Sequence, residues 1–166
     1  MTDQDQIVIE THSADETQRF GAEIGEIAQP GDILLLLGSY GVGKTTLVQG
    51  IAQGLGIEGP VTSPSFVLAN EYQGRLPLYH IDLWRVSEMD EVTLEALAEY
   101  FGSDGICAVE WPASLPASLV EGAIVVELAV VGENSRRFTI HASEPRFSQV
   151  FERPLPRLVG TPQGSS

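Results

Sequence analysis

The sequence predicts a three-layer α/β domain, in which helices cover both faces of a mostly parallel central sheet with antiparallel additions. Two short apolar runs, 32–37 (DILLLL) and 105–110 (GICAVE), are bounded by turn residues, as is typical of strands buried on both faces of a parallel sheet. Each run is preceded by a stretch with apolar residues at helical spacing, 14–28 before the first and 87–101 before the second. Residues 66–72 and 76–85 meet at a glycine-containing turn, which predicts an antiparallel pair.

The other elements follow from local patterns. Ser13 and Glu16 form a capping box, which places the start of the first helix after Ser13. Gly54 and Gly56 end the second helix, and a turn around 132–134 joins the last two strands. In order, these elements are a strand over 6–10, a helix over 14–28, a helix over 45–55, a helix over 87–101, and strands over 123–131 and 136–142.

The length of 166 residues is that of one domain with a substantial core. We expect a single domain over 1–143. Residues 144–166 contain several prolines and end in GTPQGSS, which predicts a flexible C-terminal tail with room for one short helix.

Composition restricts the classes of function. The formal net charge of −14 and the absence of a basic cluster disfavour autonomous nucleic-acid binding. Because no apolar run approaches the roughly 20 residues that span a bilayer, we expect no membrane association. The N-terminus lacks the pattern of a secretion signal, and one cysteine, Cys107, excludes an internal disulfide, so we expect a cytoplasmic protein.

A phosphate-binding loop is predicted between the second strand and the second helix. Gly38, Gly43, Lys44 and Thr45 satisfy the pattern GxxxxGK[ST], and Lys44 is the only lysine in the chain. Glycines let successive backbone N–H groups point at phosphate oxygens, and the following helix adds its positive N-terminal end. Lys44 supplies a mobile cation for the β and γ phosphates, and Thr45 supplies a hydroxyl ligand for Mg²⁺. These features predict a P-loop NTPase-like fold that binds ATP and Mg²⁺.

Such a site needs acidic residues near the metal and the attacking water. Asp82 and Glu110 both fall at the ends of apolar strands. The alternative for each is an ordinary solvated acid, because a chain with 23 acidic residues places some of them at strand ends by chance. His80 alternates with Asp82 along its strand, and we interpret it as a structural hydrogen-bonding residue rather than a proton carrier.

Four motifs together resemble a known family. They are GSYGVGKTTLVQGIAQGLG from Gly38, VTSPSF from Val61, HIDLWR from His80 and VEWP from Val109. Their order and spacing, over about residues 8–140, resemble the TsaE (YjeE) family of bacterial ATPases in tRNA threonylcarbamoyladenosine biosynthesis. The resemblance implies an ATPase that binds the TsaD–TsaB transferase complex. In the family, ATP hydrolysis supports repeated cycles in which that complex modifies the tRNA adenosine 3′ of the anticodon.

The resemblance also implies roles for individual residues. Glu110 aligns with the metal-side glutamate and Asp82 with the aspartate near the γ-phosphate and metal, while 62–66 corresponds to a switch-like segment. Four residues depart from the usual family motifs, since Ser39 and Tyr40 replace Asp and Leu, Ser65 replaces Thr, and Trp84 replaces Tyr. The implied nucleotide-binding residues are Gly38, Gly41, Val42, Gly43, Lys44, Thr45, Thr46, Ser65, Trp111 and Arg136, and the implied metal ligands are Thr45, Asp82 and Glu110.

The predicted activity is therefore Mg²⁺-dependent ATP hydrolysis, with Lys44, Asp82 and Glu110 as the catalytic residues. The sequence does not distinguish which acid orients the water. We expect slow turnover by the protein alone, because no arginine finger is evident apart from Arg85. Two alternatives stay open, a small-molecule kinase and an ATP-dependent binding switch without significant hydrolysis.

Overall fold

One seven-stranded sheet organises the part of the chain that the computed structural model describes, which comprises 6–39, 41–62, 69–84, 86, 88–142 and 145–151. Numbered along the chain, the strands are β1 (Gln6–Thr11), β2 (Ile33–Leu37), β3 (Ala69–Tyr72), β4 (Leu78–Asp82), β5 (Ile106–Glu110), β6 (Ile124–Val130) and β7 (Arg136–His141). Their order in the sheet is β1-β7-β6-β2-β5-β4-β3.

The centre of the sheet is parallel and its margins are antiparallel. β2 pairs in parallel with β5 and with β6, and β4 pairs in parallel with β5. The pairs β3–β4, β6–β7 and β1–β7 are antiparallel. The predicted fold class, a mostly parallel central sheet with antiparallel additions, is confirmed.

Helices cover the sheet in two layers. α1 (Ala14–Ile27) and α2 (Lys44–Gly54) bury residues such as Phe20 and Leu47 in the same core cluster as Leu34 and Leu36 of β2. α3 (Glu91–Phe101) covers the other face, where Leu97 and Phe101 belong to a cluster with Ile33, Ile81 and Val109. Because side chains alternate along a strand, β2 contributes to both cores, as its continuous apolar sequence predicts.

Glycines let α1 and α2 approach closely. A Cβ at Gly25 would lie 2.3 Å from the carbonyl oxygen of Ile51, and one at Gly54 would lie 2.1 Å from that of Ala22. The contacts at Gly21 and Gly50 are of the same kind. This packing fixes α2, and with it the loop that precedes α2, against the rest of the domain.

Some predicted boundaries were wrong. α3 begins at Glu91 rather than at residue 87, because the Asp90 carboxylate accepts a hydrogen bond from the Thr93 N–H at 2.8 Å and so caps the helix. β4 covers 78–82 rather than 76–85. Two 3₁₀ helices, Pro112–Ser114 and Ala117–Val120, were not predicted. The predicted strand residues 66–68 lie outside the described part of the chain.

The predicted tail includes a packed helix, α4 (Pro145–Phe151). Phe147 is buried in the main core, and the Arg146 guanidinium donates to both oxygens of Asp32 at 2.6 and 2.8 Å. The rest of the tail, 152–166, lies outside the described residues. Among the helices described, none has the length and apolar character that crossing a bilayer requires.

Candidate functional site

The site is built where three parallel strands end together. Leu36 of β2 and Asp82 of β4 are both register partners of Glu110, the last residue of β5. The glycine-rich loop leaves β2 at this same edge of the sheet. Ligands of open α/β sheets bind at the carboxyl ends of the strands, which is where the fold has placed the loop and both predicted acids.

The loop between β2 and α2 depends on glycine. Gly41 has φ of 78° and Gly43 has φ of 112°, a region that side-chain-bearing residues rarely adopt. Gly43 is also the N-cap of α2, and no side chain caps the helix there. Helix N-termini attract anions, so this end of α2 is where the sequence pattern predicts a phosphate. Thr45 and Thr46 lie in the first turn of this helix.

Lys44 lies at the centre of the site and is buried. Its Nζ donates a hydrogen bond to the Gly38 carbonyl at 2.7 Å and lies 3.7 Å from the centroid of the Trp111 ring. Burial lowers the pKa of the Lys44 ammonium, and the nearby charges of Glu110 and Asp82 oppose that shift. The ammonium is therefore held between the loop and the two acids.

Glu110 is buried against a histidine. Its Oε2 lies 2.6 Å from Nε2 of His80, whose side chain is fully buried. The Nδ1 of His80 is also buried and has no hydrogen-bond partner among the described residues. The prediction that His80 is a hydrogen-bonding residue is confirmed, and the structure adds that its partner is the predicted metal-side acid.

Asp82 is half-buried, and the groups around it shift the pKa of its carboxyl group in both directions. Burial raises the pKa of its carboxyl group, the hydrogen bond that it accepts from the Trp84 N–H at 2.9 Å lowers the pKa, and the neighbouring charge of Glu110 raises it. The two carboxylates thus repel each other at the strand ends, which is an environment that favours a cation.

The two tryptophans of the chain meet at the site. The ring centroids of Trp84 and Trp111 lie 4.5 Å apart, and Trp84 is 53% exposed. Trp111 has φ of 58° and is the one residue other than glycine with positive φ in the described part of the chain. This backbone conformation turns the chain directly after Glu110 and places the indole over Lys44.

Arg136, which the resemblance implies is a nucleotide-binding residue, lies beside the loop and contacts the protein backbone there. Its Nε donates to the carbonyl of Val42 at 2.9 Å and its Nη1 to that of Ser135 at 3.1 Å. Ser65, Arg85 and most of the switch-like segment 62–66 lie outside the described residues. Thr62 is described, and its N–H donates to the Tyr72 hydroxyl at 3.2 Å.

The donor set suits Mg²⁺. The carboxylates of Asp82 and Glu110 and the hydroxyl of Thr45 are hard oxygen donors of the kind that Mg²⁺ prefers. No group of three His, Cys, Asp or Glu side chains in the described ranges could hold a metal by itself. Mg²⁺ is usually bound by one or two carboxylates together with substrate phosphates and water.

Comparison with known proteins identifies the family. The sequence model of "Threonylcarbamoyl adenosine biosynthesis protein TsaE" matches residues 11–138. The chain belongs to the TsaE family. Curated TsaE proteins from Bacillus subtilis and Treponema pallidum are 36% and 34% identical to it, over 86% and 78% of this chain and 89% and 96% of theirs. Both carry the name tRNA threonylcarbamoyladenosine biosynthesis protein TsaE.

A solved structure supports the same conclusion. The crystal structure of YdiB from Bacillus subtilis superposes with a TM-score of 0.72 at 33% sequence identity, over 90% of this chain and 93% of that one. The described part of this TsaE chain thus has the fold of a solved relative. Sequence reasoning did not foresee the Trp84–Trp111 contact or the His80–Glu110 bond, because both join segments about 30 residues apart and depend on strand register.

Proposed function

We propose that this TsaE protein is a Mg²⁺-dependent ATPase that acts with the TsaD–TsaB transferase complex in forming threonylcarbamoyladenosine on tRNA. One observation carries the proposal. The only lysine of the chain is buried between a glycine-rich loop, the uncapped N-terminus of a helix and two carboxylates at adjacent strand ends. This combination is what a bound polyphosphate and its metal require.

The loop and Lys44 would bind the phosphates. Backbone N–H groups from Gly41 to Thr46 surround the β and γ phosphates, and the α2 N-terminus adds its partial positive charge. The Lys44 ammonium exchanges its bond to the Gly38 carbonyl for one to phosphate oxygens. Arg136 holds the loop through the Val42 carbonyl, so its contribution is to loop shape and to local positive charge.

The two acids would hold the metal and the attacking water. Thr45, Asp82 and Glu110 provide the ligands, and bound Mg²⁺ would neutralise charge on the transferring phosphoryl group. Glu110 is fixed by its bond to His80. Asp82 is partly accessible to solvent, and because its pKa is raised its carboxylate is a stronger hydrogen-bond acceptor for a water molecule. We assign the orientation of the water to this pair of carboxylates.

The names of the relatives support the biological role. The curated TsaE proteins are named for tRNA threonylcarbamoyladenosine biosynthesis, and this chain matches them over most of their length. The net charge of −14 disfavours direct binding to tRNA and favours docking on a protein that holds the tRNA. Arg136 is engaged with backbone carbonyls, so an arginine finger for rapid hydrolysis would have to come from Arg85 or from the transferase complex.

Phosphate release from ATP tests this proposal. The wild-type protein and the variants Lys44→Ala, Asp82→Asn and Glu110→Gln would be assayed alone, with TsaD–TsaB, and with TsaD–TsaB and tRNA. We expect slow release alone, faster release with the transferase complex, and loss of release in Lys44→Ala. Arg137→Gln is the matched control, because Arg137 is exposed and pairs with Glu10 away from the loop.

The same assay separates the two alternative functions. A small-molecule kinase would transfer the phosphoryl group to an added acceptor rather than to water. A binding switch would bind Mg·ATP and dock on TsaD–TsaB without releasing phosphate. Either result, with the wild-type protein folded and all partners present, would contradict the proposed hydrolase.

A further inference from the structure

His80 is a buried polar side chain on the face of the sheet that carries the site. Leu78 and Ala108, its neighbours on that face, belong to the main core cluster. His80 itself is fully buried, and its Nε2 lies 2.6 Å from the Oε2 of Glu110. Glu110 is in turn 4% exposed. The pair therefore links the apolar core on this face, where His80 lies, to the end of β5, where Glu110 lies.

Packing of the apolar core does not by itself explain a buried histidine at position 80. A carboxylate accepts hydrogen bonds only, so Nε2 carries the proton and donates to Glu110. The other ring nitrogen, Nδ1, is then left buried without a partner among the described residues. Burying such a group costs stability, whereas an aliphatic side chain would fill the same position without that cost. The histidine is thus explained by what Nε2 does for Glu110.

We propose that His80 is a positioning residue that fixes the Glu110 carboxylate for Mg²⁺ and water at the strand ends. This inference rests on the proposed function. The Nε2–H bond commits Oε2, so the remaining oxygen of Glu110 is the one left for the metal side. Hydrogen bonds from a second layer of residues commonly orient metal-binding carboxylates in this way.

Lys44 explains why Glu110 needs to be fixed. The Lys44 ammonium interacts electrostatically with both Glu110 and Asp82. Without the bond to His80, the Glu110 side chain would be free to rotate towards the ammonium and form an ion pair with it. Such a pair would occupy both the metal ligand and the phosphate-binding lysine. His80 therefore keeps the anion and the cation of the site available to their separate ligands.

The test measures how much Mg²⁺ strengthens ATP binding. Calorimetry gives the affinity for ATP in the presence of Mg²⁺ and in EDTA, and the ratio of these two affinities is compared among the wild-type protein, His80→Leu and His80→Gln. We expect His80→Leu to reduce the ratio by about 10- to 100-fold, the usual effect of losing such a partner. The affinity in EDTA should also fall, but by less, because an ion pair with Glu110 would engage Lys44. His80→Gln should restore most of the ratio, because its amide N–H reaches as far as Nε2.

Two further variants keep the test decisive. His80→Asn keeps a polar side chain, but its amide is too short to reach Glu110. It should show the same reduced ratio that we expect of His80→Leu, and it serves as the test variant if His80→Leu does not fold. His141→Gln is the matched control, because His141 lies 3.5 Å from Glu127 on the other side of the sheet and should leave the ratio unchanged. Thermal unfolding of each variant monitors the fold.

A double-mutant cycle shows whether His80 acts through Glu110. In the Glu110→Gln background, His80→Leu should cause no further loss of the Mg²⁺ effect. If His80→Leu and His80→Asn keep the wild-type ratio, or if their losses add to that of Glu110→Gln, the inference is wrong while the proposed function stands. If Mg²⁺ does not strengthen ATP binding to the wild-type protein, both the inference and the metal site of the proposed function are wrong.

Discussion

The ammonium of Lys44 lies 3.7 Å from the centroid of the Trp111 ring and also donates to the carbonyl of Gly38. The predicted phosphate-binding lysine is thus held by its own loop and by an aromatic ring. Cation–π contacts of this kind contribute about 0.5–2 kcal/mol, so a phosphate chain can replace them. Nucleotide binding should therefore change the environment of Trp111.

We expect intrinsic fluorescence to report nucleotide binding directly. The chain contains two tryptophans, Trp84 and Trp111, and both lie at the site. Saturating Mg·ATP should change the emission of the wild-type protein and of Trp84→Phe, because Lys44 leaves the Trp111 ring. In Trp111→Phe most of the change should be lost. An unchanged spectrum in a sample that binds Mg·ATP by calorimetry would show that Lys44 does not move.

Asp82→Asn should lower ATP hydrolysis and raise stability at neutral pH. Burial raises the pKa of Asp82, so the folded state binds its proton more tightly than the unfolded state does, and the ionised carboxylate at neutral pH costs stability. Asparagine removes this charge and can still accept the Trp84 N–H bond. The melting temperature of the variant should exceed that of the wild type at pH 7.

The gain in Asp82→Asn should shrink on acidification. The difference from asparagine should shrink as the pH falls through the raised pKa of Asp82 in the folded state, and disappear below the ordinary carboxyl value of 3.8, where Asp82 is protonated in both the folded and the unfolded state. Thermal unfolding followed by circular dichroism between neutral and acidic pH measures this. A stability gain that is independent of pH would show that the charge of Asp82 is not its cause.

Gly54→Ala should destabilise the domain, although alanine normally stabilises a helix by up to about 1 kcal/mol relative to glycine. A Cβ at position 54 would lie 2.1 Å from the Ala22 carbonyl oxygen, so α1 and α2 would have to separate. We expect a loss of about 1–3 kcal/mol in the free energy of unfolding, measured with urea. Gln53→Ala, at an exposed neighbouring position, is the control and should change stability little.

Arg136→Gln should weaken nucleotide binding through the shape of the loop. The bond from Arg136 to the Val42 carbonyl is charge-assisted, and its loss should cost about 1.5 kcal/mol, or about tenfold in Mg·ATP affinity. Arg137→Gln, the adjacent exposed arginine, should bind Mg·ATP as the wild type does. Equal affinities for the two variants would rule out a role for Arg136 in the site.

Much of the fold could be predicted from local sequence. The apolar run of β2 and the pattern from Gly38 to Thr45 specify strand, loop and helix within a few residues, so the glycine-rich loop could be located without a structure. The predicted ends of two elements were wrong because side-chain hydrogen bonds to the backbone set them. The start of α3 was misplaced because the Asp90 cap was not recognised, and β4 was drawn too long because Asp82 accepts the Trp84 N–H and ends the strand.

The contacts between residues within the site were harder to predict from the sequence. Asp82 and Glu110 could be proposed as strand-end acids, but their adjacency depends on the pairing of β4 with β5. The same register brings His80 to Glu110, a contact that no local pattern records. The resemblance implied a nucleotide-binding role for Arg136 by the last hairpin, but its bond to the Val42 carbonyl depends on the order of strands across the sheet.

Calorimetry with Mg·ATP, on the wild-type protein and on Lys44→Met, tests the central claim most directly. Methionine keeps an unbranched side chain against Trp111 but removes the cation, and thermal unfolding checks that the variant is folded. We predict a clear heat of binding for the wild type and none, or a greatly weakened one, for Lys44→Met. Equal binding of Mg·ATP by the two folded proteins, or no binding by the wild type alone and with TsaD–TsaB, would contradict the account.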